Sequence, residues 1–265
     1  YLEKFGITHT FVDGREASDI FDQIRPNTSL VYLESPGSII FRLQDLKAIA
    51  DHCRRAGIST IVDNTYGLTI QHPIELGIDI CVHSASKVIS GHSDVVAGAL
   101  ATSKKRIDRI MDAELELFGS IIAPLPAWLM IRGLRTLPMR LSRTRESANK
   151  VAEFVAGRPE VEELFHVGHS SFTQPELRDR QMTGSAGLLS FLPKTNDRSK
   201  IKAFLESFRI FKMGVSWGGH ESLVVPVKMK PMDWPTERYV LRLCVGFESP
   251  EDLCSDLERA FPNLA

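Results

Sequence analysis

Two short apolar runs, Ser59-Thr60-Ile61-Val62 and Ile78-Asp79-Ile80-Cys81-Val82, each break off into polar residues. Both have the length of a buried strand and are too short to be helices. The first runs into Asp63-Asn64-Thr65 and the second into His83-Ser84-Ala85-Ser86-Lys87. Carboxyl ends of neighbouring strands are where open α/β sheets bind ligands. The pair therefore constrains both the architecture and the place to look for chemistry.

The surrounding pattern agrees. Residues 1–12 read as a helix end, Gly6, and a short strand through Thr10-Phe11-Val12; Ser29 to Leu33 reads as another strand, stopped by Ser35-Pro36-Gly37. Leu43, Leu46, Ile49, Ala50 and Cys53 repeat at helical spacing, with Gly57 as the stop. A helical turn is expected around Ile74 to Gly77, and a strand from Val95 to Thr102. Next comes a helix capped by Ser103 and reaching Phe118. Pro124 and Pro126 open a long helical tract to Gly157, with an interruption expected at Pro138 and a solvated or salt-bridged face at Arg140, Arg143 and Arg145. After Val161 come strands at Ala186 to Leu192, Ser222 to Val227 and Tyr239 to Val245, and helices at Arg198 to Phe208 and Pro250 to Phe261. The expected architecture is α/β with a mostly parallel sheet over residues 1–137. A smaller α+β domain with its connecting helix follows over residues 138–265.

A net charge of −1, with 25% charged residues, implies neither a nucleic-acid nor a membrane partner. The apolar runs are far too short to span a bilayer, and the first residues do not resemble a signal peptide. Cys53, Cys81, Cys244 and Cys254 show no C-x-x-C spacing, which reads as reduced, buried thiols of a cytoplasmic protein. His166 and His169 have metal-like spacing but flank Gly168 without a third ligand, so no metal site is expected. His92 reads as a structural residue of the loop after Lys87.

In an extended segment, Ser84 and Ser86 face the same way and can grip one group while Lys87 projects at another angle. Hydroxyls for a phosphate beside an amine suit pyridoxal 5'-phosphate, whose aldehyde a lysine bonds; its pyridine nitrogen needs a carboxylate such as Asp63. The same residues also suit a solvated loop lysine, capping hydroxyls and a turn-forming aspartate. Arg242 interrupts the apolar run Val240 to Val245, and a charge there needs a partner. That partner is either an inter-domain carboxylate or the α-carboxylate of a substrate.

Ile61-Val-Asp-Asn-Thr-Tyr66, His83-Ser-Ala-Ser-Lys-Val-Ile-Ser-Gly-His-Ser-Asp94 and Val95-Val-Ala-Gly-Ala99 resemble the cofactor-binding core of the cystathionine lyase/synthase family of Cys/Met metabolism. The likeness continues in family order through Arg132-Gly-Leu-Arg-Thr-Leu137, Gly184-Ser-Ala-Gly-Leu188, Ser216-Trp-Gly-Gly-His-Glu-Ser-Leu223 and Arg242-Leu-Cys-Val-Gly-Phe-Glu248. It implies the fold-type I architecture of pyridoxal-phosphate enzymes. It also implies Lys87 as catalytic and cofactor lysine, and Asp63, Ser84 and Ser86 as cofactor ligands. Arg242, Ser216 and Trp217 are implied to bind substrate. Ser216-Trp217-Gly-Gly and Glu34-Ser-Pro-Gly-Ser-Ile39 resemble bacterial cystathionine β-lyases most. The implied reaction is α,β-elimination on a small sulfur amino acid, with γ-lyase or γ-synthase chemistry, or a catalytically silent fragment, as alternatives. Family members carry a further N-terminal segment, with a ring that stacks on the cofactor, backbone phosphate donors and a tyrosine–arginine pair for the neighbouring subunit. The resemblance implies a homo-oligomer, a dimer of dimers in the intact protein. Tyr1 lies downstream of those N-terminal positions, so an edge or apolar face of the sheet is expected to lie open.

Overall fold

The computed structural model describes residues 1–265. Its first half is a four-stranded sheet of β1 (Leu30–Glu34), β2 (Ser59–Asp63), β3 (Ile80–Ser84) and β4 (Gly98–Thr102), in that order. The first three strands are parallel and β4 is antiparallel to β3. Alternation along the strands turns Leu33, Val62 and Cys81 onto one face, where they meet Leu46, Ile49, Ala50 and Cys53 of helix α2 (Leu46–Ala56). Asp45 caps that helix by accepting from Ala48 N at 3.0 Å, and Gly57, at φ 70°, ends it in the left-handed conformation. Leu30, Tyr32 and Leu100 are exposed, so this sheet presents an open apolar face. A short helix α1 (Ala17–Phe21) packs on α2.

Several expected elements differ. Thr10 to Val12 forms no strand: no neighbouring segment lies alongside to take its backbone groups, and Phe11 is exposed. Residues 74–77 form a turn without helix. The strand expected from Val95 begins only at Gly98, because Ser86 takes both backbone groups of Ala97. Helix α3 (Lys104–Ile110) runs through a π turn at Met111–Leu115 into α4 (Glu116–Phe118), as expected in extent, although the Ser103 hydroxyl makes no capping bond. The long helix α5 (Pro124–Ala156) passes through Pro138 unbroken. The proline removes one intrahelical bond, but packing holds the helix on both sides of it. Gly133 lies against the turn after β3, and Ala148, Val151, Ala152 and Val155 are fully buried in the second core.

That core belongs to a five-stranded sheet, ordered β5 (Val161–Phe165), β6 (Leu188–Pro193), β9 (Arg238–Cys244), β8 (Leu223–Met229) and β7 (Lys212–Met213). Helices α5, α7 (Arg198–Glu206) and α8 (Pro250–Ala260) cover one face around Phe191, Phe204 and Phe261. The other face carries Leu188 and Cys244 into a separate cluster with Phe41, Tyr66 and Trp217, which joins the two sheets. Buried amides strengthen the junction. Gln181, at the end of α6 (Pro175–Gln181), donates to Gln71 Oε1 at 3.2 Å and to Gln44 O at 3.1 Å. We propose residues 1–137 and 138–265 as two domains, each with its own sheet; the boundary lies inside α5.

Asp256 of α8 is buried and accepts from the backbone N–H groups of Arg209, Ile210 and Phe211 at 2.8 to 3.1 Å, with Arg259 beside it. Asp256→Ala strands three donors and is expected to cost roughly 3 kcal/mol in urea unfolding. A loss under about 0.5 kcal/mol, the size of an ordinary surface change, sinks that account.

Candidate active site

β2 and β3 run side by side, with Asp63 paired to Val82, so the polar residues after each strand emerge together. Asp63 Oδ1 accepts from Thr65 N at 2.9 Å and from Thr65 Oγ1 at 2.5 Å. The same Thr65 hydroxyl accepts from Ser84 N at 2.8 Å, which ties the two strand ends to each other. Asp63 Oδ2 and Ser84 Oγ make no hydrogen bond within the chain. Ser86 differs from expectation. It lies in the turn beyond β3, not on an extended strand, and its hydroxyl donates to Ala97 O at 3.2 Å while accepting from Ala97 N at 2.9 Å. With its only proton so engaged, it has no donor left for a phosphate in this arrangement.

Lys87 sits in the same turn, where its N–H bonds Ser84 O at 3.0 Å and its carbonyl accepts from Gly91 N at 2.8 Å. Its Nζ lies 2.8 Å from Ser216 Oγ and 5.9 Å from the centroid of the Trp217 ring. Trp217 is buried in the cluster between the sheets, so core packing and a place beside the amine are both true of it. Gly218, at φ 80°, lets this loop approach the Lys87 turn: a Cβ there would stand 2.9 Å from Val88 N.

Arg242 reaches the site through strand alternation. Leu241 and Leu243 face the second core, which turns Arg242 and Cys244 toward Trp217. The arginine is 5% exposed and no carboxylate lies within ion-pair distance. It donates to Ser38 O at 3.3 Å and to Val215 O, two neutral acceptors. A buried guanidinium so paired keeps donors and charge for an anionic ligand. Burial and then the charge of Arg242 hold the Lys87 amine below its ordinary pKa, with Cys244 opposing. Burial pushes the Cys244 thiol itself up to about 11, so it is neutral near pH 7. Replacing Arg242 with Met removes a positive charge facing the amine, which favours its protonated form. The pH at which Lys87 of the cofactor-free protein is acylated is therefore expected to rise, read by mass spectrometry of the Lys87 peptide. An unchanged midpoint means that Arg242 does not sense the amine.

Two parts of this site escaped the sequence reading. Thr65 carried a signal, since a hydroxyl two residues after an aspartate commonly closes a side-chain turn. The partners of Arg242, Ser38 O and Val215 O, carried none, because they are main-chain atoms distant in sequence. Arg140 is a correction. It is buried, neither solvated nor salt-bridged, while Arg143 and Arg145 bond the carbonyls of Glu248 and Ser185. His92 bonds Ser90 O within its loop, and both ring nitrogens of His166 are engaged by Leu188 O and Asn149 Oδ1. All four cysteines are free, Cys254 only half-buried.

A carboxylate with one unpaired oxygen and an uncommitted hydroxyl close two neighbouring strands, and an amine of lowered pKa stands in the turn just beyond. This donor set fits a phosphorylated pyridine aldehyde, with Ser86 as the one member committed elsewhere. Whole-chain likeness agrees. Residues 1–262 match the family of Cys/Met metabolism PLP-dependent enzymes. The cystathionine gamma-lyase of Bacillus subtilis (strain 168) is 35% identical over 273 residues, covering 99% of this chain and 72% of the relative. The cystathionine beta-lyase MetC of the same organism is 33% identical, covering 100% and 70%. Among solved structures, metB from Corynebacterium glutamicum matches with a TM-score of 0.92 at 30% identity, over 100% of this chain and 70% of that one. The cystathionine gamma-lyase from Lactobacillus plantarum complexed with L-serine matches with a TM-score of 0.91, also at 30% identity, over 99% and 71%. β- and γ-lyases stand at similar distances, and what they share is what holds here: the chain belongs to the Cys/Met metabolism family of PLP-dependent enzymes, as a fold-type I carbon–sulfur lyase whose cofactor is pyridoxal phosphate.

Proposed function

We propose that the protein is a cystathionine β-lyase, which cleaves L-cystathionine and water to homocysteine, pyruvate and ammonia in methionine biosynthesis. The observation that carries the reading is Lys87 Nζ held 2.8 Å from Ser216 Oγ, with the buried Arg242 guanidinium lacking a carboxylate nearby. Arg242 takes the substrate α-carboxylate and orients the Cα proton toward the amine. Lys87, its pKa lowered by burial and Arg242, accepts that proton and returns it to the departing sulfur as the Cβ–S bond breaks. Ser216 holds the amine in line, and Trp217 excludes water on one side. Lys87, Asp63 and Ser84 would hold the cofactor, with Ser86 joining only if it releases Ala97. Pyridoxal phosphate supplies, when bound, an electron sink for the pair left at Cα. Asp63 would be the carboxylate that serves the cofactor's ring nitrogen, so Asp63→Asn is expected to lower kcat about 10²-fold or more. A change of only a few-fold removes Asp63 from that role.

The choice of β-elimination rests on Ser216-Trp217-Gly218-Gly219 and on Ser38, which resemble β-lyases. The γ-reading has its own support in the 35% identical cystathionine gamma-lyase. Incubation with cystathionine separates them: homocysteine supports the β reading, and cysteine overturns it. We place the enzyme in the cytoplasm as a homo-oligomer, a dimer of dimers in the intact protein. The exposed Leu125, Trp128 and Ile131 on α5 support the assembly, and light scattering that finds only monomers refutes it. No helix is long and apolar enough to cross a membrane.

A further inference from the structure

Arg140 of α5 is a buried charge that the reaction above does not use. The residue is 9% exposed, and its guanidinium meets four neutral acceptors. Nε donates to Thr136 Oγ1 at 3.0 Å, Nη1 to Val88 O at 2.7 Å, and Nη2 to Gly133 O at 2.8 Å and Ile89 O at 3.3 Å. No carboxylate lies within ion-pair distance. Burying a cation among neutral acceptors alone is costly, so the contact must secure something that a neutral side chain would not.

What it secures is the main chain immediately after Lys87. Val88 and Ile89 present their carbonyls to the guanidinium, and two glycines make room for the contact. A Cβ on Gly91 would stand 1.9 Å from Arg140 Nη1, and one on Gly133 would stand 2.5 Å from Ile89 O. The loop at Gly218 closes on the same turn: a Cβ there would stand 2.9 Å from Val88 N and 3.2 Å from Lys87 C. The Lys87 turn is thus held by α5 and closely approached by the loop that carries Ser216 and Trp217. Because a planar fork can bond several carbonyls at fixed angles, arginine suits this clasp and lysine does not.

We propose that Arg140 is a positioning residue for the Lys87 amine, fixing the turn from Lys87 to Gly91 so that Nζ stays within reach of Ser216 Oγ. The proposal rests on Lys87 being the reactive lysine. Arg140 acts through the backbone, whereas the groups that face the amine itself are Ser216, Arg242 and the neutral Cys244.

The test uses purified wild-type protein, Arg140→Gln and Arg140→Lys, loaded with pyridoxal phosphate. Borohydride reduction and mapping of the pyridoxyl tag in the wild type examines the underlying assignment separately; a tag away from Lys87 sinks that assignment and the proposal with it. With the tag on Lys87, both variants are expected to lose about ten- to a hundredfold in kcat while KM for cystathionine stays within about twofold. Amide hydrogen exchange at Gly91 is expected to quicken, and the pH midpoint of the visible cofactor band to move. Lysine is expected not to rescue. Wild-type kcat and pH midpoint in Arg140→Gln overturn the proposal, as does full rescue by lysine. If Arg140→Gln fails to fold, Thr136→Val, which frees only Nε, decides: a smaller kcat loss with unchanged KM supports positioning, and unchanged kcat refutes it.

Discussion

Lys87→Ala is expected to give a colourless protein that has lost about 10³-fold or more of the elimination rate. Its melting temperature should stay near that of the cofactor-free wild type. Lys87 is only half-buried and makes one side-chain hydrogen bond, to Ser216, so its loss removes chemistry without opening a core. Borohydride reduction of the loaded wild type should place the pyridoxyl tag on the peptide containing Ser84 to Lys87, and the variant should carry none there. A variant that keeps its colour and more than a tenth of its rate refutes the assignment, because no other group lies in Lys87's place to accept the Cα proton.

Arg242→Lys should cost about 10²-fold in kcat/KM, or roughly 3 kcal/mol, carried mainly by KM. A guanidinium can bond Ser38 O and Val215 O and still offer a fork to a carboxylate, whereas an ammonium has three donors and no fixed plane. A substrate analogue without the α-carboxylate should bind wild type and variant alike, which separates loss of the contact from loss of the fold. Equal losses for both compounds, together with a lowered melting temperature, would falsify the substrate role and leave Arg242 as a buried strut between β9 and the loop at Ser38.

Much of this site could be read before any tertiary contact was known, and for one reason. Residues whose position is set by the end of a strand need only a local pattern to be found. Asp63 and Ser84 are the last residues of β2 and β3, each closing a short apolar run. The extended geometry expected at Ser86 stops two residues earlier, at Ser84, and the turn hands its hydroxyl to Ala97. Arg140 was misjudged because helical spacing reports the direction of a side chain and says nothing of what waits there. Its acceptors, Val88 O and Ile89 O, lie some fifty positions away in the chain.

By itself the sequence determined most of the strands and helices, the order of the motifs and therefore the family, since periodicity and local spacing suffice for these. Only the tertiary structure decided which charges are satisfied and by what. Arg242 and Arg140 are both arginines in otherwise regular elements, yet one keeps charge and donors in reserve while the other spends its donors on the backbone of the Lys87 turn. That difference is set by carbonyl groups, which every residue possesses and which no one-dimensional pattern can distinguish.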